Sequence, residues 1–106
     1  MSDVRQVFSV LDVESGLRLE GELDSATVPL VVDAFASRTN GTRELTLDVS
    51  DLTFIDSAGL HAIITFARSR EPEGTVTISG ASPFLLRLFE ITQVDRLPNL
   101  RIDVRS

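Results

Sequence analysis

The chain has 106 residues, enough for one domain with a modest core and too few for two. It contains no cysteine, which excludes disulfides and thiolate metal sites, and all ten of its cationic residues are arginine. Without lysine the chain forms neither a P-loop nor a pyridoxal Schiff base. A net charge of −6 with no basic cluster argues against direct nucleic-acid binding. We therefore expect one acidic domain spanning residues 1–106, with no metal and no cofactor.

The amino-terminal residues carry no targeting pattern. Met1 to Val4 lack a cationic region followed by an apolar run, as a signal peptide would have. No apolar stretch approaches the roughly 20 residues that span a bilayer. These observations predict a cytoplasmic protein that does not bind a membrane.

The first part of the chain alternates between apolar and polar residues. This pattern predicts two strands joined at Ser15-Gly16 as a hairpin, with Gly21 marking a β-bulge in the second strand. Their alternating positions are Gln6, Phe8, Val10, Leu17, Leu19 and Leu23. Such a hairpin makes the first strand pair antiparallel.

Helical spacing follows. Asp24, Ser25 and Thr27 are typical of a helix start, and Asn40-Gly41 is typical of a helix end. Between them apolar residues recur three and four positions apart: Val28, Val31, Val32 and Phe35. The alternating run from Leu45 to Val49 then predicts a third strand.

The second half repeats the alternation of helix and strand. Apolar stripes predict two further helices, the last beginning at Ser82-Pro83, and alternation predicts a strand at 75–79 and a short edge strand at 97–104. The stripes comprise Leu60, Ile63, Ile64 and Ala67, and then Phe84, Leu85, Leu88 and Phe89. Phe35, Phe66, Phe84 and Phe89 are all expected in the core. The fold class is α/β, with a mixed four- to five-stranded sheet packed against helices.

The segment from Leu52 to Leu60 joins the third strand to the second helix. Asp56 or Ser57 is expected to cap that helix. The first-turn N–H groups and the helix dipole favour an anion at this end, so a phosphate on Ser57 would be stabilised. Gly59 costs about 1 kcal/mol relative to alanine inside a helix. Close approach of a partner to Ala58 and Gly59 would account for that glycine.

Three segments in register resemble one known family. Asp56-Ser57-Ala58-Gly59-Leu60 resembles the D-S-[SA]-G-L signature of STAS domains, best known from anti-sigma factor antagonists. Residues 21–24 (GELD) resemble the family's segment at the end of its second strand. Residues 82–89 resemble the family's S-P…R-L-F segment on a late helix. The resemblance covers nearly the whole chain.

The resemblance implies a regulatory role rather than an enzyme. In such proteins the serine at the position of Ser57 is phosphorylated by an anti-sigma factor that is also a serine kinase. The unphosphorylated form binds that kinase and releases the sigma factor, and a serine phosphatase resets the switch. The implied setting is bacterial transcription regulation in a stress response, and a weak homodimer is compatible with it.

Ser57 is thus the phosphorylation site that the resemblance implies. Asp24 and Asp56 are implied to lie near it and to shape the contact surface. Ala58 stands where the family often has a second serine, so Ser57 is the one hydroxyl of the motif. Gly59 and His61 complete the expected partner-binding set, His61 as a surface residue at its edge. Phe54 is expected to pack beneath the loop.

Other functions remain open at this stage. STAS folds also serve as scaffolds or as nucleotide- or lipid-binding modules, with the serine unmodified. Asp48 lies near a strand end, as in receiver domains, but those need a lysine that this chain lacks. His61 follows Ser57 by four residues, but no Gly-x-Ser-x-Gly elbow surrounds the serine, which disfavours a hydrolase. Ser57 and Asp24 can also be simple helix caps.

Overall fold

A computed structural model describes residues 8–14, 16–38, 43–70 and 73–103, and all structural statements refer to these ranges. Strands and helices alternate along them as the sequence predicts. They are β1 Phe8–Val13, β2 Gly16–Leu23, α1 Val28–Arg38, β3 Glu44–Ile55, α2 Ser57–Ser69, β4 Thr75–Ser79, α3 Pro83–Thr92 and β5 Leu100–Asp103. A single 3-10 turn, Val94–Arg96, links α3 to β5. The predicted α/β fold is confirmed, with five strands in the described sheet.

The strands lie in the sheet in chain order, β1-β2-β3-β4-β5. β1 pairs with β2 in antiparallel fashion, and the three following pairs are parallel, so the sheet is mixed. Parallel crossovers are right-handed, and here each one steps in the same direction along the sheet. The three helices therefore cover one face, and the loops that start them gather at the carboxyl edge of the parallel strands.

Alternation along β3 shows which face is covered. Leu45, Leu47 and Val49 are buried under the helices, whereas Thr46 and Asp48 are only half-buried on the other face. On that second face the Arg18 guanidinium pairs with Asp48, its Nε lying 3.2 Å from Oδ2. One face of the sheet is thus the floor of the core, and the other is a polar surface.

Two strand predictions are refined. β3 continues through Ile55, beyond the alternating run from Leu45 to Val49, because its later half pairs with β2 across two register shifts. One shift lies between Gly21 and Glu22, where Gly21 has φ 100°. The irregularity is therefore at Gly21 as predicted, but the extra residue is Thr53 on β3 and not a residue of the second strand. The predictions that involve Gln6, Ser15, Asn40, Gly41 and Val104 fall on residues outside the described ranges.

Helix α3 begins as predicted but buries fewer residues than expected. The Ser82 hydroxyl accepts a hydrogen bond from the Leu85 N–H at 3.2 Å, and Pro83 occupies the first turn. Leu85 and Phe89 are buried, yet the Phe84 side chain is 59 % exposed. The prediction that Phe84 belongs to the core is therefore wrong. Successive helical residues are rotated by about 100°, so Phe84 points away from the face that Leu85 and Phe89 bury.

Two further observations concern the described residues alone. No helix among them has the length and apolar character needed to cross a membrane. No group of three or more His, Cys, Asp or Glu side chains among them is arranged to hold a metal ion.

Candidate partner-binding site

The carboxyl ends of β2 and β3 bring the predicted site residues to one edge of the domain. Leu23 and Ile55 are paired at the ends of these strands. The Asp56 N–H donates to the Leu23 carbonyl at 3.2 Å, which ties the start of α2 to the end of β2. Asp24 and Asp56, each the first residue after its strand, consequently lie on the same rim.

Asp56 is the cap of α2. Its backbone is extended, at φ −108° and ψ −174°, and its carboxylate accepts the Gly59 N–H at 2.9 Å. The first helical hydrogen bond runs from the Leu60 N–H to the Asp56 carbonyl, also at 2.9 Å. Of the two capping candidates, Asp56 fills the position and Ser57 does not, so the simple cap interpretation of Ser57 is wrong.

Ser57 is the first residue of α2 and is exposed. Its hydroxyl makes no hydrogen bond within the described part of the chain, and neither do the N–H groups of Ser57 and Ala58. These two N–H groups are the ones left over at a helix start, where an anion is favoured. The Ser57 side chain is therefore accessible, and it lies beside N–H groups that can donate hydrogen bonds to a phosphate oxygen.

Gly59 serves the domain's own packing. It is buried, and a Cβ built on it would lie 2.6 Å from the Leu23 carbonyl oxygen and 2.8 Å from Leu23 Cγ. The glycine thus lets α2 approach the end of β2. The explanation that a partner protein approaches closely at Gly59 is wrong, because Leu23 already occupies that space. Ala58, one residue earlier, is half-buried and lies beside a groove.

Asp24 holds the turn between β2 and α1. Its carboxylate accepts the N–H groups of Ala26 and Thr27, both at 3.1 Å. The buried Thr27 hydroxyl accepts the Asp24 N–H at 2.9 Å and donates to the Glu22 carbonyl at 2.9 Å. Asp24 therefore caps the turn that precedes α1, and α1 itself begins at Val28. Its role in partner binding stays a prediction.

His61 is exposed one turn after Ser57. Residues four apart on a helix are neighbours, so the two side chains share a face as expected. In the described part of the chain no carboxylate hydrogen-bonds to the imidazole, so nothing there orients it as a general base. The arrangement fits a surface position beside Ser57 and lacks the third member of a hydrolase triad.

Asp48 is engaged on the polar face of the sheet, away from this rim. Burial acts to raise the pKa of its carboxyl, but hydrogen bonds from the Ser50 N–H, the Ser50 hydroxyl and Arg18 outweigh burial. The pKa of Asp48 consequently lies below the usual value for aspartate. A carboxylate held by a serine and an arginine is a structural anion, which agrees with the argument against a receiver domain.

Two phenylalanines are exposed that the sequence did not identify as surface residues. Phe54, expected beneath the loop, is 45 % exposed near the end of β3, so that prediction is wrong. Phe84 is exposed in the first turn of α3, and β4 leads into α3 at the same carboxyl edge. Alternation along β3 could have indicated that Phe54 is exposed, since its neighbour Ile55 faces the core. Exposed apolar side chains at one rim are typical of a protein-binding surface.

Comparisons with known proteins agree with this geometry. Residues 7–102 match the family model described as "Mlab, STAS domain". The chain is a member of the STAS domain family. An anti-sigma-B factor antagonist from Staphylococcus aureus is 32 % identical over 78 residues, which are 72 % of each chain.

Solved STAS structures share the fold. An anti-sigma factor antagonist from Mycobacterium paratuberculosis superimposes with a TM-score of 0.74 at 23 % identity, over 89 % of this chain and 83 % of that one. The Bacillus cell fate determinant SpoIIAA in its phosphorylated form gives 0.65 at 18 % identity, over 92 % of each chain. At such identities these structures support the STAS architecture alone.

Proposed function

We propose that this STAS domain is an anti-sigma factor antagonist controlled by phosphorylation of Ser57. The unphosphorylated form binds an anti-sigma factor that is also a serine kinase, and so releases the sigma factor. Phosphate on Ser57 ends that binding, and a serine phosphatase restores it. The observation that carries the proposal is the exposed Ser57 hydroxyl, unbonded within the described residues, at the start of α2.

The relatives supply the biological context. The Staphylococcus aureus relative is named an anti-sigma-B factor antagonist, and SpoIIAA has been solved in a phosphorylated form. By analogy we assign the chain to bacterial transcription control and to the cytoplasm, where sigma factors act. The whole chain, residues 1–106, is then one STAS domain with no activity of its own.

Charge explains how one phosphate can end binding. Phosphorylation adds about −1.5 to −2 charges at neutral pH. Asp24 and Asp56 already stand on the same rim, in a chain of net charge −6. The dianion would be costly to desolvate in an interface that includes Phe54 and would repel acidic groups of the partner. The unbonded N–H groups of Ser57 and Ala58 stabilise the phosphorylated state without any refolding.

We propose the partner-binding set from the residues at this rim. Ser57 is the acceptor, and Asp24, Asp56, Ala58 and His61 surround it. The assignment of Gly59 is indirect, because its contact is with Leu23 and it acts by positioning α2. A second candidate role, ligand binding, is favoured by a groove between α1 and α2, and it is compatible with the switch.

Mass spectrometry of the protein from its native host is the first test. Intact mass and phosphosite mapping, in growth and under stress, should show a phosphate on Ser57 whose occupancy changes between conditions. Ser57→Ala should then retain the kinase as bait, and Ser57→Asp should not. Ser37→Asp is the matched control, since Ser37 is exposed on α1 away from the rim. A protein free of phosphate in all conditions, with Ser57→Asp binding the same partners as wild type, would contradict the switch.

A further inference from the structure

Helix α3 carries a second apolar stripe on its exposed side. Phe84, Leu88 and Ile91, here called the α3 stripe, lie within about 60° of one another around the helix axis. Ile91 is 65 % exposed and Phe84 is 59 % exposed, more than any other large apolar side chain among the described residues. Leu88 between them is half-buried, while Leu85 and Phe89 face the core. The α3 stripe therefore has apolar surface at both ends that the domain's own packing does not cover.

Two side chains of opposite charge flank the α3 stripe on one side. Arg87 and Glu90 are both exposed, and at about 100° per residue they lie on the same flank of the helix, next to Ile91. Neither side chain forms an ion pair or a hydrogen bond with any residue that the structure describes. A neighbouring cation and anion, each unpaired, are complementary to a surface that carries the same two charges in the reverse order.

A second copy of α3 presents that reverse order when the two helices pack antiparallel. In a twofold pair each contact occurs twice with the copies exchanged, so the charged flank of one α3 meets the charged flank of the other. With Leu88 nearest the twofold axis, Phe84 of each copy lies toward Ile91 of the other. Arg87 of one copy and Glu90 of the other are then about 1.5 Å apart along the axis, closer than the two arginines at about 3 Å or the two glutamates at about 6 Å. Attraction between the unlike charges therefore exceeds repulsion between the like ones.

From this charge complementarity we infer that α3 is a homodimerisation surface: the α3 stripes of two copies pack antiparallel, with Arg87 of each copy paired with Glu90 of the other. The stripe is roughly 10 Å long, so the contact is smaller than the standard interface of about 800 Å² per partner. Two chains of net charge −6 also repel one another. The dimer is therefore weak and forms at high protein concentration. Ser57 lies on α2, outside the stripe, and the inference does not depend on its phosphorylation.

Sedimentation equilibrium of the full chain, from about 10 μM to about 1 mM protein, measures the self-association. We expect a monomer–dimer equilibrium with a Kd of about 0.1–1 mM, because the contact is small. A chain that stays monomeric at about 1 mM would overturn the inference and would leave the α3 stripe to a different protein.

Two substitutions that add the same charge locate the contact. Ile91→Asp should weaken self-association by at least about tenfold, because each new carboxylate would lose water against the opposite α3 stripe. Leu30→Asp is the matched control, because Leu30 is 55 % exposed on α1 and receives the same charge away from α3. Melting curves of both variants verify that they fold. Equal Kd values for the two variants would place the dimer contact elsewhere and would contradict the inference.

Charge reversal tests the antiparallel arrangement. Arg87→Glu leaves only acidic charges on the flank and Glu90→Arg leaves only basic ones, whereas Arg101→Glu and Glu44→Arg make the same changes in net charge at exposed positions on strands. Each α3 variant alone should self-associate about three- to tenfold more weakly than the control of equal net charge. An equimolar mixture of the two α3 variants should form a heterodimer at least as tight as the wild-type dimer, because each flank then meets its opposite charge. If the mixture of the two strand variants gains as much, the pairing of Arg87 with Glu90 is refuted.

Discussion

Replacing Gly59 with alanine tests the contact that positions the switch helix. Gly59 lies in the first turn of α2, and the added methyl group would meet the Leu23 carbonyl oxygen at 2.6 Å and Leu23 Cγ at 2.8 Å. A backbone oxygen cannot move aside as a flexible side chain can. The start of α2 would have to shift away from β2, which would strain the hydrogen bond of 3.2 Å from the Asp56 N–H to the Leu23 carbonyl.

Two opposing effects set the change in stability caused by Gly59→Ala. Alanine is favoured over glycine inside a helix by about 1 kcal/mol, which would stabilise the variant. Overpacking a buried site typically costs about 1–3 kcal/mol, and here two atoms are closer than normal Cβ contacts. We expect packing to dominate, with a net loss of about 1 kcal/mol. For a domain of this size that loss lowers Tm by about 4–8 °C.

Urea and thermal unfolding measure the difference, and His61 supplies the control. His61 is exposed on the same helix, so the difference in stability between His61→Ala and His61→Gly reports the helix preference without packing. We expect Gly59→Ala to be less stable than wild type, whereas His61→Ala is more stable than His61→Gly. If Gly59→Ala instead gains about as much stability as alanine gains over glycine at position 61, the close packing of α2 on Leu23 is refuted.

Three further predictions concern stability. Asn99→Ala should lower the free energy of unfolding in urea by about 2–3 kcal/mol. The buried Asn99 amide donates to two carbonyls, at 2.6 Å and 2.9 Å, and both would lose their partner. A loss below about 0.5 kcal/mol would argue against both bonds. Of Phe84 and Phe89, only Phe89 is buried. Phe84→Ser should therefore change the free energy of unfolding little, while Phe89→Ala should lower it by about 3–5 kcal/mol. Equal losses would refute the exposed position of Phe84. Asp48 has a folded-state pKa below its unfolded value, so its stabilisation is present above about pH 4 and is lost as pH falls through the folded pKa. Asp48→Asn should therefore destabilise by less than about 1 kcal/mol at pH 7, by a margin that shrinks in acid; a margin that is constant from pH 7 to pH 2 would contradict this.

Local chemistry explains why much of the fold could be predicted from the sequence. Ser82 and Pro83 start α3 because a hydroxyl can accept a first-turn N–H and proline lacks one. Alternation in β4 matches its burial because one face of the strand meets the helices. Gly21 likewise indicates an irregular point in β2, since glycine tolerates its positive φ. Each of these features depends on a few neighbouring residues.

Other features depend on residues distant in sequence. β3 extends to Ile55 because its later residues find partners on β2 after a register shift, which alternation alone does not reveal. Phe84 has the spacing of a core residue, but α3 is turned so that Leu85 and Phe89 face the core and Phe84 faces solvent. Periodicity states which side chains share a face and leaves open how far the neighbouring element reaches.

The features of the candidate site likewise fall into those set by neighbouring residues and those set by residues distant in sequence. The sequence by itself determined the α/β order and the start of a helix at Asp56 or Ser57, because motifs and caps act within one turn; the structure decided that Asp56 is the cap. Only the tertiary structure decided that Gly59 faces Leu23, that Asp24 is occupied by its own turn, and that α1 and α2 leave a groove between them. These outcomes arise where separate segments pack together, and distances between such segments are not encoded in any local pattern.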